Sequence, residues 1–192
     1  AETSDLNKEG LTMGYTENLI DFIGKSTDCY HAVKTAKDRL DENGFTELFE
    51  GDKWDVQNDG KYYVIRNSSS IIAFEMPKKD FGAFMICASH TDSPSFKLKP
   101  DFEINADGCI KLSVEGYGGM IMSSWLDRPL SISGRIVTAK DGKVETKLVN
   151  IDRDLLVIPS LAIHMSRDIN KGYEFNIRRD MCPIATNQNP IF

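Results

Sequence analysis

The stretch ICASHTDSPSFKLKP, residues 86–100, changes character at His90. From Phe84 to Ser89 the chain is a short apolar run with turn residues on both sides, which predicts a buried strand. His90, Thr91, Asp92, Ser93 and Pro94 then follow, all polar or turn-forming. The mouth of a strand in an α/β sheet is where ligand sites form, and imidazole is the commonest protein ligand for metals. A metal-bound imidazole usually has its other ring nitrogen held by a carboxylate. In an extended His-x-Asp stretch both side chains leave on the same face, so Asp92 is placed to hold His90. The same spacing also describes a strand-end histidine bonded to a nearby loop, with Asp92 capping a turn.

The totals bound the rest. At 192 residues the chain is long enough for one domain with a core or for two small ones. A composition of 41% hydrophobic and 27% charged residues is that of an ordinary globular protein. No apolar run approaches the ~20 residues of a membrane span. The opening AETSDLNKEG is polar and acidic, unlike a signal or transit peptide. The expectation is a cytoplasmic protein without a membrane partner. A net charge of −6 with scattered basic residues argues against nucleic acid as a partner. Cys29, Cys87, Cys109 and Cys182 lie far apart with no CxxC, so reduced thiols are expected and zinc-knuckle or thioredoxin-type readings fail. Cys87, inside the apolar run, is expected to be a small core residue.

Along the chain, the first dozen residues read as a loosely held arm. Residues 16–44 are helical in pattern, with Leu19, Ile20, Phe22 and Ile23 on one face and an interruption at Gly24-Lys25-Ser26. A second helix starts near Asp28, with Thr27 or Asp28 as N-cap, Tyr30, Val33 and Leu40 inward, and Gly44 as the stop. His31, on this helix, is expected to be a core or surface histidine. Residues 62–66 and 71–75 flank Asn67-Ser68-Ser69-Ser70 and predict a hairpin. After Pro100 come alternating segments with tight-turn pairs at Asp107-Gly108 and Asp141-Gly142. Leu130, Ile132 and Ile136 fit one face of a strand around Gly134, and Val144, Thr146 and Leu148 alternate with charged neighbours. This second half reads as an all-β barrel or sandwich. The fold class is α/β, with a boundary near Lys99 to Asp101 separating residues 1–99 from 100–192.

Five stretches in order carry a resemblance: YHAVKTAKDRLDENGF, KYYVIRNSSSIIAF, ASHTDSPSFKLKP, EGYGGMIMSSWLDRPLSISGRIV and VIPSLAIHMSRDIN. Together they resemble the M18 family of metalloaminopeptidases, the aspartyl aminopeptidase group. The resemblance implies that residues 1–99 are the N-terminal part of a zinc-peptidase-type catalytic domain, and that residues 100–192 belong to an inserted all-β dimerisation domain. It implies an aminopeptidase acting on peptides with two divalent metal ions, usually zinc, as cofactors, and a homo-oligomer, a dodecamer built from dimers. His90 matches a metal ligand of the family and Asp92 the carboxylate that orients it. His164 matches a histidine that contacts substrate in a neighbouring subunit; without the family, a lone strand-end histidine is as readily structural.

Other candidates read differently. Asp127 and Arg128 are expected to form an internal ion pair at a sharp bend, with an approach to the active site as the alternative. Gly116, Gly118 and Gly119 look like a phosphate cradle, but no capped helix pattern follows, so a glycine bend between strands is expected. Tyr117 and Trp125 are expected to pack.

A two-metal peptidase needs a bridging carboxylate, further ligands and a general-base glutamate. In the family these lie beyond the β insertion, and no residue here matches them. Two expectations follow. In one, a second polypeptide, the C-terminal remainder of the same enzyme, completes the site as partner. In the other, the chain is an inactive assembly or interaction module.

Overall fold

The structure is a computed structural model that describes residues 8–106 and 108–186. The elements are α1 (Lys8–Lys25), α2 (Cys29–Glu42), β1 (Thr46–Glu47), β2 (Lys61–Arg66), β3 (Ser70–Glu75), β4 (Ser95–Ala106), β5 (Cys109–Tyr117), β6 (Ser133–Lys140), β7 (Lys143–Asn150), α3 (Ile177–Asp180) and β8 (Ile184–Thr186). The chain forms two compact units, Ala1–Asp92 with Ser133–Asn150, and Ser93–Ile132 with Ile151–Phe192.

In the first unit, α2 starts where Asp28 caps it. The Asp28 carboxylate accepts from the backbone N–H of Tyr30 and His31 at 2.8 and 3.0 Å, satisfying two donors that the first turn leaves free. Asn43 is the C-cap and Gly44 follows at φ 78°, the left-handed residue that ends helices. Val33 is buried; Tyr30 and Leu40, expected inward, are half-buried. The sheet has the order β1-β2-β3, with β1 parallel to β2 and β2 antiparallel to β3. Tyr62, Tyr63 and Val64 on β2 are buried. The Tyr63 hydroxyl donates to Asp41 at 2.6 Å and accepts from Lys37, whose ammonium also reaches Glu47 at 2.9 Å. That bond and its carboxylate neighbours push the Lys37 ammonium well above its ordinary pKa, so a charged lattice joins α2, β1 and β2.

The β6–β7 hairpin belongs to this unit. Asp141 and Gly142, at φ 51° and 73°, supply the two left-handed residues of a tight hairpin turn, and Lys140 pairs with Lys143. Arg135 on β6 donates to the backbone and side-chain oxygens of Asn67 and lies over the Tyr30 ring at 4.4 Å.

The second unit is a sheet of order β4-β5-β8. Ile110, Leu112 and Val114 alternate inward along β5, the period-2 signature of a half-buried strand. Leu112, Val114 and Leu156 form the core, covered by Phe96, Leu130, Ile132 and Ile177 among others. Trp125 packs edge-to-face on Phe96, with centroids 5.1 Å apart, as expected of a packing residue. Tyr117 lies under the Lys97 ammonium at 3.8 Å. Gly118 makes its bend at φ 73°, 3.4 Å from Pro94 if it carried a Cβ.

Several expectations change. The arm gives way to α1 at Lys8, while residues 1–7 lie outside the described residues. Leu19, Ile20 and Ile23 on α1 are exposed on this chain. The two compact units divide at Asp92/Ser93, and β4 runs through Lys99 to Asp101. What the sequence marks there is a register shift between Leu98 and Glu103, where Pro100 has no N–H to give the ladder. Leu130 and Ile132 join the second core while Ile136 stands exposed on β6, so they do not share one strand face. In the second half, the sheet is accompanied by the short helix α3, and Asp107 of the first tight turn lies outside the described residues.

Candidate functional site

The predicted strand over 84–89 is not paired with a neighbour among the described residues. Phe84, Met85 and Ile86 are exposed, and so is Cys87, contrary to its expected place in a core. A central strand buries such residues only between neighbouring strands, and β3, the nearest strand before it, is an edge without this segment beside it.

His90 and Asp92 come together as the extended geometry requires: Nδ1 lies 2.8 Å from Asp92 Oδ1. The His90 side chain is 89% exposed and that of Asp92 31%. A carboxylate on Nδ1 favours the tautomer with the proton there, which leaves the Nε2 lone pair facing outward. Thr91, between them, points the other way and donates its hydroxyl to the Ser69 carbonyl at 2.7 Å. Among the described residues no three His, Cys, Asp or Glu side chains are grouped to hold a metal ion. Among the described residues, His90 backed by Asp92 offers one ligand position for a metal ion.

The other predicted residues separate. His164 stands exposed in the turn Ile163–Met165, not at a strand end. Asp127 and Arg128 do sit at a sharp bend, with Asp127 at φ 53°, but they do not pair with each other. The Asp127 carboxylate accepts from the Ser160 N–H at 2.8 Å and from its hydroxyl, which hold it below the ordinary aspartate range. Arg128 donates to the Ser124 carbonyl instead. Each side chain thus finds a backbone partner other than its neighbour.

Sequence reasoning did not find the second His–Asp pair. His31 Nδ1 lies 2.6 Å from Asp28 Oδ2, in a much less exposed place than His90. Burial raises the Asp28 carboxyl, but bonds from His31 and Ser133 outweigh it and hold it below its usual range. The signal was present as an N-cap followed three residues later by a histidine. Nothing local signalled Arg135, whose partner Asn67 is 68 residues away.

A sequence profile of the family described as Aminopeptidase I zinc metalloprotease (M18) matches residues 22–190. The chain belongs to the M18 family. An M18 relative from Clostridium acetobutylicum, named "Probable M18 family aminopeptidase 2", is 47% identical over 186 residues, 93% of this chain and 42% of that protein. In the solved M18-like structures, the chain from the Ape4 and Nbr1 complex superposes with a TM-score of 0.85 at 39% identity, covering 91% of this chain and 34% of the other. The S. cerevisiae mApe1 dodecamer gives a TM-score of 0.69 at 29% identity, over 88% and 37% of the two chains. This M18 chain thus spans about two-fifths of the length of the curated relatives it matches. No helix of the described residues is long and apolar enough to cross a membrane.

Proposed function

We propose that the chain is the N-terminal piece of a metal-dependent aminopeptidase that removes N-terminal residues from peptides, completed by a second polypeptide that carries the remaining metal ligands and the general base. One observation carries this beyond family membership. The His90 imidazole is backed by Asp92 at 2.8 Å and turns its other nitrogen outward, the arrangement of a metal ligand with its orienting carboxylate. In this reading His90 is one ligand of a pair of divalent ions, zinc by family, and Asp92 sets its tautomer. A complete metal pair would polarise a peptide carbonyl and activate water, and in this reading the second polypeptide carries the bridging group and the base.

The exposed residues 84–86 support neighbouring strands from the remainder of the enzyme, because they offer unpaired backbone and apolar side chains in a segment that reads as a core strand. In the same reading residues 100–192 belong to the inserted β-rich dimerisation domain, with His164 contacting substrate in trans. The solved mApe1 relative is a dodecamer, which supports a homo-oligomer here. The place of action is the cytoplasm. The absence of a three-donor cluster among the described residues favours a second reading for the chain by itself, an inactive assembly or interaction module.

The test is hydrolysis of aminoacyl chromogenic substrates by this chain alone and by this chain mixed with the part of the C. acetobutylicum relative beyond the matched region. Metal-dependent activity in the mixture, abolished by a chelator and by His90→Ala, is expected. Inactivity of the mixture leaves the interaction module.

A further inference from the structure

We propose that Thr91 and Arg135 are positioning residues for His90, acting through the β2–β3 turn. The inference rests on His90 as the metal ligand for its consequence, but its geometry stands by itself. His90 is almost fully exposed, and its partner Asp92 sits on the same extended segment, so the pair does not locate itself. In extended backbone successive side chains alternate. With His90 and Asp92 meeting on one side, Thr91 reaches the other and ties the segment to the Ser69 carbonyl at 2.7 Å. Its β-branched side chain has restricted χ1, so one bond fixes the direction in which both neighbours project.

Ser69 in turn belongs to a constrained turn. Asn67 and Ser68 are both left-handed, at φ 52° and 56°, and the Ser69 N–H closes on the Arg66 carbonyl at 3.1 Å. Asparagine tolerates that region; serine does so less readily, and such a conformation persists where neighbours enforce it. Arg135 supplies the enforcement. Its guanidinium donates to the Asn67 carbonyl at 2.8 Å and to Asn67 Oδ1 at 3.2 Å, and is itself laid over the Tyr30 ring. A planar fork meets both oxygens and stacks on the ring together, which an ammonium cannot do. The path from α2 to the His90–Asp92 pair therefore runs through Tyr30, Arg135, Asn67, Ser69 and Thr91.

The experiment is long-range 1H–15N NMR of the histidine rings in the full 192-residue chain at pH 8, where imidazole is neutral. Wild-type His90 is expected to hold its proton on Nδ1. Thr91→Val and Arg135→Lys are expected to lose that bias at His90, and Thr91→Ser to keep it. Far-UV circular dichroism of each variant, expected to match that of wild type, is the control for an intact fold. Should Thr91→Val disturb the fold, Arg135→Lys decides, since it leaves residues 90–92 untouched. A His90 proton that stays on Nδ1 in a folded variant of either kind overturns the proposal. The readout needs no metal and no substrate, so failure of the aminopeptidase reading would appear in the mixing assay and leave this result in place.

Discussion

Asp28 shows how much one side chain can settle. Its carboxylate caps α2 and holds His31 Nδ1 at 2.6 Å, and the Ser133 side chain helps keep it below the usual aspartate range. Asp28→Ala is expected to destabilise the chain by about 1 kcal/mol, as a lost N-cap does. Asp28→Asn keeps the cap and should cost less. Because the folded carboxyl is held below its ordinary value, its charge-dependent contribution is complete above the unfolded aspartate pKa of ~3.9. That contribution is lost as pH falls through the depressed folded value. Urea denaturation at pH 7 and pH 3 should therefore show the gap between wild type and Asp28→Asn narrowing at the lower pH. At this scale the His90–Asp92 pair was legible because strand geometry fixes where i and i+2 point. Arg135 was not legible, since only the folded chain brings it to Asn67, and a sharp bend hid the separate partners of Asp127 and Arg128.

Among the elements, those whose signals are local follow the sequence closely. The cap and stop of α2, the β2–β3 hairpin and the Asp141-Gly142 turn each rest on a few adjacent residues. Gly142→Val is expected to cost about 1–2 kcal/mol, the penalty of a side chain in the left-handed region, although nothing crowds the position. Leu112→Ala, at the fully buried centre of β5, is expected to cost roughly 2–5 kcal/mol, read by the same denaturation. The segment 84–89 departs from its pattern for a physical reason: a core strand is defined by its neighbours, and periodicity cannot say whether they are present. Ile86→Glu should therefore change the stability of the chain alone by no more than about 0.5 kcal/mol. The same change should abolish recovery of peptidase activity when the second polypeptide is added.

For the whole molecule, family membership was legible because five stretches keep one order over nearly the full length, far more specific than His-x-Asp alone. The division into units was not, because the hairpin Ser133–Asn150 returns to the first unit and only long-range contacts reveal it. Under the proposed function this M18 chain is the N-terminal part of a metal-dependent aminopeptidase. Native mass spectrometry of the isolated material, followed by denaturation of the same sample, tests it most directly. Expected under that proposal is a zinc-bearing high-order assembly that separates into this chain and a second polypeptide. A species containing only this chain, with no bound zinc, would contradict it.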